Sequence, residues 1–573
     1  GARFDFTAKL RTGDVVAGQY EVAGALAHGG MGWIYLARDR NVSGRWCVLK
    51  GLLDTADPDA AEAAVAERRF LAEVRHPNIV GIHNFVQHEG QGYIVMEYVG
   101  GPSLKQLAKQ RREAGQGPMP VTEAAAYILA VLPALGYLHD NGMLYCDFKP
   151  DNVIHEGDGV KLIDLGGVRR VEDHESAIFG TVGYQAPEVP HTGPTVASDL
   201  YTVGRALAVL ILDWPEWTSS DVDRLPPRED HEVLVEHDCL WRFLQRACAP
   251  DPADRFVDAH EMADALHGVL AQVAAAEDGQ PRPRTSTRYS PPRPRLDGLS
   301  WQALPSPLLP VHPRLANQVA GVAEGDPEAV ATLVAADQEL SWADLATVAR
   351  AQCELGDHAA ASAAVDRLDP EAPEAAEHRA VVANVRSYLR GVVALAAGDA
   401  ARAAGFFEEA YATAPGEAAC ALALAVALAA SGDRSRLEEA ADLFEQVAVA
   451  DPSWIPALAG LAWVLAALGR YGEAARVLTA VPTTPPLRPE ALTMACQIMQ
   501  SGRYDTEVAA AAGERVRSAS PGAREGGDAA LAAALYAAAL AALDRGEHVG
   551  PRVGGVEATR PALARAAEAA LLD

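Results

Sequence analysis

Tyr145-Cys146-Asp147-Phe148-Lys149-Pro150-Asp151-Asn152 is the stretch that decides the fold of this chain. A carboxylate, an ammonium group two residues on and a carboxamide three beyond that can orient a hydroxyl, neutralise a phosphoryl oxygen and offer a hard oxygen ligand to a metal. The spacing predicts that Asp147 orients a substrate hydroxyl and accepts its proton, and that Lys149 neutralises charge on a transferring γ-phosphate. Asn152, together with Asp164 of Asp164-Leu165-Gly166, is the expected pair of metal ligands between the phosphates. ATP is the implied co-substrate, and Mg²⁺ (or Mn²⁺) the implied cofactor.

Upstream lie parts that would hold the nucleotide. The turn Ala27-His28-Gly29-Gly30-Met31-Gly32-Trp33-Ile34-Tyr35 sits between two apolar strands, and its glycines have no Cβ to keep backbone N–H groups away from phosphate oxygens. Ala27 replaces the first usual glycine, so by itself the stretch reads equally well as a tight hairpin. Lys50 ends the strand Cys47-Val48-Leu49 within reach of the α- and β-phosphates, and Glu67 falls where a helix would bring it a carboxylate partner. Glu73 lies too near His76-Pro77-Asn78-Ile79-Val80 for that role and reads as an exposed helix charge. Gly92 to Gly101 reads as a buried strand entering a hinge. There Glu97 would offer its carbonyl, and Val99 its carbonyl and N–H, to an adenine edge, with Met96 behind the base; a core strand with a turn is equally compatible in isolation.

Downstream, Lys149 and Gly180-Thr181-x-x-Tyr184 before Ala186-Pro187-Glu188 follow the serine/threonine pattern of phosphoryl acceptors. Glu188 needs a buried partner, for which Arg255 is expected, and Asp199 is expected to cap the backbone of the catalytic loop. Cys146 stands where kinases switched by activation-loop phosphorylation carry an arginine for the phosphate. That switch is expected to be absent, and from Asp164 to Glu188 only Ser176 and Thr181 offer serine or threonine hydroxyls. Cys146 reads as a small core filler or as a redox-sensitive thiol.

The order of these parts predicts an α+β protein-kinase fold, with a small β-rich N-lobe and a helical C-lobe, followed by an all-α TPR-like solenoid. The expected divisions are an N-terminal segment over 1–18, a kinase domain over 19–275, a Pro/Arg-rich linker over 276–320 and helical repeats over 321–573. Nine prolines from Pro281 to Pro313, interleaved with arginines, predict an extended rather than packed stretch, either a solvated linker or a basic strap. Beyond it Ala403, Phe407 and Pro415 recur as Ala440, Phe444 and Pro452, with Ala474 and Leu478 opening the pattern again. Glycines at Gly356, Gly398, Gly432, Gly469 and Gly502 recur near the ~34-residue period of tetratricopeptide repeats. An arbitrary alanine-rich bundle is the alternative, and past Arg503 the pattern sets no register.

Of the 573 residues 49% are apolar and 22% charged, enough for several cores. None of the seven cysteines lies in a C-x-x-C pair, which argues against a zinc or iron site and suits a reducing cytoplasm. The runs Ala418 to Ala430 and Ala529 to Leu543 fall short of the ~20 residues of a membrane span. No basic-then-apolar leader opens the chain, so a soluble intracellular protein without a transmembrane segment is expected. A net charge of −28 repels nucleic acid and favours a protein partner. The first residue is Gly1 rather than methionine, which reads as a start inside a longer natural chain.

Gly13-Asp14-Val15-Val16-Ala17-Gly18-Gln19-Tyr20-Glu21-Val22, the glycine turn from Ala27 to Tyr35, the stretch Gly92 to Gly101 and Thr192-Gly193-Pro194-Thr195-Val196-Ala197-Ser198-Asp199 closely resemble the mycobacterial protein kinase G family. The resemblance is strong to about Leu270 and looser through the linker and repeats. It implies a soluble actinobacterial serine/threonine kinase whose protein substrate is a small FHA-domain regulator of glutamate and 2-oxoglutarate metabolism. The repeats would recruit that substrate or form a homodimer. The family carries a rubredoxin-like iron domain with two C-x-x-C motifs ahead of the kinase, and this sequence holds none. A competing reading is a nucleotide-binding pseudokinase scaffold that displays the repeats. Pseudokinases usually lose a lysine, aspartate or metal ligand, whereas Lys50, Asp147, Asn152 and Asp164 are all present.

Overall fold

Alternate residues near the start of the chain share one apolar face: Tyr20 with Val22, Tyr35 with Ala37, Cys47 with Leu49, and Tyr93 with Val95. A period of two is the signature of strands that bury one side. The computed structural model describes residues 9–29, 32–51, 73–173, 180–309, 340–372, 378–482, 487–518 and 526–572. It divides into two compact units, Gly1–Leu270 and Ala271–Asp573.

In the first unit the strands β1 (Val15–Val16), β2 (Tyr20–Gly29), β3 (Gly32–Asp39), β4 (Arg45–Gly51), β5 (Ile82–His88) and β6 (Gln91–Glu97) form one antiparallel sheet of order β1-β2-β3-β4-β6-β5. A short connection leads to α1 (Leu104–Glu113), whose start is fixed by a capping box between Ser103 and Gln106. The helix α2 (Val121–Asp140) follows, then the short strand β7 (Met143–Leu144), the hairpin of β8 (Val153–Glu156) and β9 (Gly159–Leu162), and β10 (Arg169–Arg170), which pairs with β7. The rest is helical: α3 (Val189–Thr192), α4 (Val196–Ile211), α5 (Glu232–Glu236), α6 (Asp238–Ala247) and α7 (Ala259–Asp278). The boundary between the units falls within α7.

Among the described residues two helices are long and apolar enough to cross a membrane, Val121–Asp140 and Gly527–Asp544, but 56% and 61% of their apolar windows are buried inside the structure. The first is absent only from the apolar runs noted in the sequence, because its Pro133, Gly136 and charged flanks interrupt such a run. Both are core helices of their units.

The second unit is a series of paired helices: α8 (Trp342–Glu354) with α9 (His358–Asp366), α10 (Arg379–Ala396) with α11 (Ala400–Thr413), α12 (Ala418–Ala430) with α13 (Arg434–Ala450), and α14 (Ile455–Ala467) with α15 (Tyr471–Leu478). The pattern continues through α16 (Leu487–Ser501), α17 (Thr506–Ser518), α18 (Gly526–Asp544) and α19 (Arg560–Leu572). Gly356, Gly398, Gly432 and Gly469 each end a first helix at φ between +73° and +82°, the left-handed C-cap that favours glycine. Gly502 serves differently, because a Cβ there would collide with the Tyr471 side chain. Phe407 lies on Gly391 and Phe444 on Gly460, where an added Cβ would come within 2.5 Å of either ring.

The proline-rich stretch departs from its expectation. Through residue 309, beyond which it lies outside the described residues, it is mostly extended with one 3-10 turn at Trp301–Ala303, but it is packed: Tyr289, Leu296 and Leu304 are buried in the core of the second unit. Several of its backbone groups are satisfied by side chains, by the stretch itself or, at Arg282, by the Ala450 carbonyl at 2.8 Å. The Leu304 and Pro305 carbonyls accept from Arg350 at 3.1 Å, Tyr388 Oη donates to Pro305 at 2.9 Å, and the Leu308 N–H donates to the Arg288 carbonyl at 2.7 Å. Proline removes backbone donors and so excludes regular structure, but the apolar residues between the prolines still gain by burial. That second signal was the one the proline count obscured.

Candidate active site

The glycine turn is carried by the β2–β3 hairpin, with Ala27 opposite Ile34, His28 opposite Trp33 and Gly29 opposite Gly32. Gly32 has φ +133° and a Cβ there would lie 3.3 Å from the Gly51 carbonyl oxygen. Gly30 lies outside the described residues, as does Glu67. The expected carboxylate partner of Lys50 therefore has no described position; Glu73, set aside for that role, is exposed. Ile34 pairs with Lys50 across β3 and β4, and Lys50 with Ile94 across β4 and β6. Lys50 is buried, and its Nζ is ion-paired with Asp164 Oδ1.

Across the sheet Met96 is buried near the end of β6, half-buried Glu97 closes that strand, and Val99 is half-buried in the connection that follows. The carboxylate of Glu97, for which the sequence suggested no task, pairs with Lys161 of β9 at 2.5 Å. The sequence places Gly101 in the hinge but does not foretell its contact: its φ is +145°, and a Cβ there would collide with the His155 carbonyl.

The catalytic loop is held from behind. Asp199, in the first turn of α4, accepts the N–H groups of Tyr145 at 2.7 Å and Cys146 at 2.8 Å, and faces His139 Nε2 at 3.0 Å. Its place is set by the Thr195–Ser198 capping box that starts the helix. These bonds offset the cost, roughly 1–2 kcal/mol, of the left-handed backbone at Cys146, whose φ is +67°. Tyr145 and Phe148 are buried on either side, and Asp147 between them is half-buried.

There the polar groups converge. Lys149 Nζ lies 2.6 Å from Asp147 Oδ2 and 2.7 Å from Thr181 Oγ1, and Thr181 donates to Asp147 Oδ1 at 2.7 Å. Asn152 Nδ2 donates to the Asp147 carbonyl at 2.9 Å, while the Asn152 carbonyl accepts the Ile163 N–H at 3.0 Å, next to Asp164. Asp164 Oδ1 also accepts the Gly166 N–H at 2.7 Å. Burial pushes the Asp164 carboxyl toward neutrality, but the charge of Lys50 and the hydrogen bonds from Lys50 and Gly166 outweigh it and leave its pKa below the ordinary carboxylate value. A metal ligand needs that ionised form. Gly167, absent from the sequence reading, lets the chain pass Asp147, because a Cβ would lie 3.3 Å from the Asp147 Cβ.

Below the cleft, Arg255 holds Glu188 in a bidentate pair at 2.7 and 2.9 Å, its guanidinium lies over Tyr201, and it donates to the carbonyls of Ala249 and Pro250. Buried Arg205 does related work unannounced by any motif: it donates to the carbonyls of Gly183, Trp217 and Asp221 at 2.8 to 3.0 Å, fixing the segment after Thr181.

The protein kinase domain family matches residues 20–262, and the protein kinase G tetratricopeptide repeat family matches residues 301–573. Similar curated proteins include serine/threonine-protein kinase PknG of Mycolicibacterium smegmatis and of Mycobacterium leprae, each 51% identical over 298 residues, 51% of this chain and 38% of theirs. A probable serine/threonine-protein kinase PknB of Lactococcus lactis is 32% identical over 269 residues, 44% of this chain and 42% of that one. The matched stretch thus spans about two fifths of the length of each of these curated relatives. A protein kinase domain with its site in the order found here, followed by the protein kinase G tetratricopeptide repeat, fits a kinase of the protein kinase G type.

Proposed function

We propose that this chain transfers the γ-phosphoryl group of ATP to serine or threonine hydroxyls of a protein. The observation that carries the reading is the joining of Asp147, Lys149 and Thr181 in one hydrogen-bonded cluster, with Asn152 bonded to the Asp147 backbone and Lys50 paired to Asp164. The acceptor oxygen attacks the γ-phosphorus as the bond to the β-phosphate oxygen breaks, ADP leaves, and the hydroxyl proton passes to Asp147. Lys149 neutralises the transferring group, and Thr181 keeps Asp147 and Lys149 in place. Lys50 would serve the α- and β-phosphates, the glycine turn of Ala27, His28, Gly29, Gly30 and Gly32, with Ile34, would cover them, and Met96, Glu97 and Val99 would hold the adenine.

The donor set suits a hard divalent cation: one ionised carboxylate, Asp164, and one carboxamide oxygen, Asn152, match Mg²⁺, which takes few protein ligands and completes its shell with phosphates and water. Mg²⁺, or Mn²⁺ in its place, would supply charge neutralisation of the β- and γ-phosphates.

The repeat unit belongs in this reading as the part that recruits a protein substrate or pairs two copies of the chain. A cytoplasmic FHA-domain regulator of nitrogen and carbon metabolism is the substrate that the likeness to protein kinase G suggests. Transfer of label from γ-labelled ATP to a generic basic protein tests the chemistry. Asp147→Asn and Lys50→Met should each lower it by about 10²-fold or more, since positioning and charge neutralisation supply most of the rate. Wild-type turnover in either variant would leave the scaffold reading standing instead.

A further inference from the structure

The adenine side and the metal side of the candidate site are joined through one small element, the β8–β9 hairpin. Asn152 immediately precedes β8 (Val153–Glu156), and Asp164 comes just after β9 (Gly159–Leu162). The hinge from Glu97 to Ser103 is fastened to this hairpin at both of its ends. At the far end the Pro102 carbonyl accepts the His155 N–H at 3.0 Å, Ser103 bridges Ile154, and Gly101 clears the His155 carbonyl only because it lacks a Cβ.

At the near end the fastening is made by side chains. Glu97 Oε1 takes Lys161 Nζ at 2.5 Å, the two side chains being 26% and 20% exposed, and Glu97 Oε2 accepts the Gly81 N–H at 3.2 Å. Burial alone would raise the Glu97 pKa, but the hydrogen bonds from Lys161 and Gly81 hold it below the ordinary value, so the pair is ionic at neutral pH. Asn78 steadies the same strand, donating to the Val160 carbonyl at 2.9 Å and accepting the Leu162 N–H at 2.8 Å. Neither the Glu97 carboxylate nor Lys161 has a task in phosphoryl transfer as described above.

We propose that Glu97 and Lys161 are positioning residues that keep the adenine-holding hinge in register with Asn152 and Asp164. The inference rests on the nucleotide-binding reading of this site. A ligand that touches both ends of a site is held well only if the spacing between the ends is right, whereas a ligand that touches one end is indifferent to it. Mg·ATP reaches from hinge to metal ligands; adenosine reaches only the hinge.

The test compares these two ligands by calorimetric titration of the full chain. Lys161→Met should weaken Mg·ATP by about fivefold or more while adenosine stays within about twofold of wild type. Glu97→Gln should weaken Mg·ATP to a similar degree, and the exchanged pair Glu97→Lys with Lys161→Glu should recover most of the loss. The two single substitutions change local charge in opposite directions. A bare attraction of the phosphates by Lys161 would therefore make Glu97→Gln bind Mg·ATP more tightly, and that result overturns the proposal. Equal weakening of both ligands in Lys161→Met overturns it too, by showing a merely structural role, as does wild-type affinity for Mg·ATP in both single variants. Failure of the wild-type chain to bind either ligand would remove the nucleotide-binding reading itself, and the inference with it.

Discussion

Cys146 carries a thiol that burial and the neighbouring Asp199 carboxylate hold well above its ordinary pKa. It is not alone. Burial pushes Cys47 and Cys353 up to about 11, and Cys239, Cys248, Cys420 and Cys496 up to about 12. The thiolate is the reactive form, so titration with a disulfide reagent at pH 8 should find under about one thiol per native chain on the timescale of free cysteine. All seven should react after denaturation; rapid native reaction at Cys146 would restore it as a redox sensor. The residue also lacks the charge of the arginine it replaces. Ser176, outside the described residues, should therefore tolerate Ser176→Ala with turnover within about twofold of wild type, a barrier change under ~0.5 kcal/mol. A large loss would mean that another basic group receives a phosphate there. The Arg255–Glu188 pair is of another kind, with side-chain exposures of 0% and 14%. Arg255→Ala leaves a carboxylate without its cation, and unfolding by denaturant should show a loss of roughly 3–5 kcal/mol in the first unit.

Helix pairs bring close approach into play, and here single glycines decide. In Gly460→Ala the new Cβ would meet the Phe444 ring, and in Gly391→Ala the Phe407 ring. Each should cost about 1–3 kcal/mol by overpacking, read as a lowered unfolding midpoint of the repeat unit. Gly432→Ala has open space around it and should cost about 1 kcal/mol for its left-handed backbone alone. Elements of this kind were legible in the sequence because a motif with fixed offsets, such as Gly398 followed by Ala403 and Phe407, states a turn and a contact together. The cluster around Asp147 was legible for the same reason, since its members lie within a few residues of one another or in short signatures. What escaped were residues whose task appears only when distant strands meet. Gly101 beneath His155, Glu97 opposite Lys161 and Arg205 among four carbonyls carry no local pattern. Tyr289 was hidden by its surroundings: nine prolines announced an absence of regular structure, and an absence of regular structure is not an absence of packing.

At the scale of the whole molecule, burial of Tyr289, Leu296 and Leu304 assigns the proline-rich segment to the repeat unit. A fragment beginning at Ala271 should fold, whereas one beginning at Pro310 loses those side chains and should unfold at a lower temperature or be recovered insoluble; equal melting of the two would return the segment to the status of a linker. The segment also touches successive repeats, through Arg350 of α8, Asn384 and Tyr388 of α10 and Glu417 before α12. A partner recruited by this unit therefore meets a surface already partly covered by the chain itself. The central claim concerns the other unit, that the cluster of Asp147, Lys149 and Thr181 delivers a phosphoryl group to an aliphatic hydroxyl. It is tested most directly by incubating the full chain with Mg²⁺ and γ-labelled ATP, hydrolysing the labelled protein and separating its phosphoamino acids, with Asp147→Asn in parallel. Phosphoserine and phosphothreonine without phosphotyrosine, and almost no label in the variant, is the predicted result; phosphotyrosine, or equal label with Asp147→Asn, would contradict it.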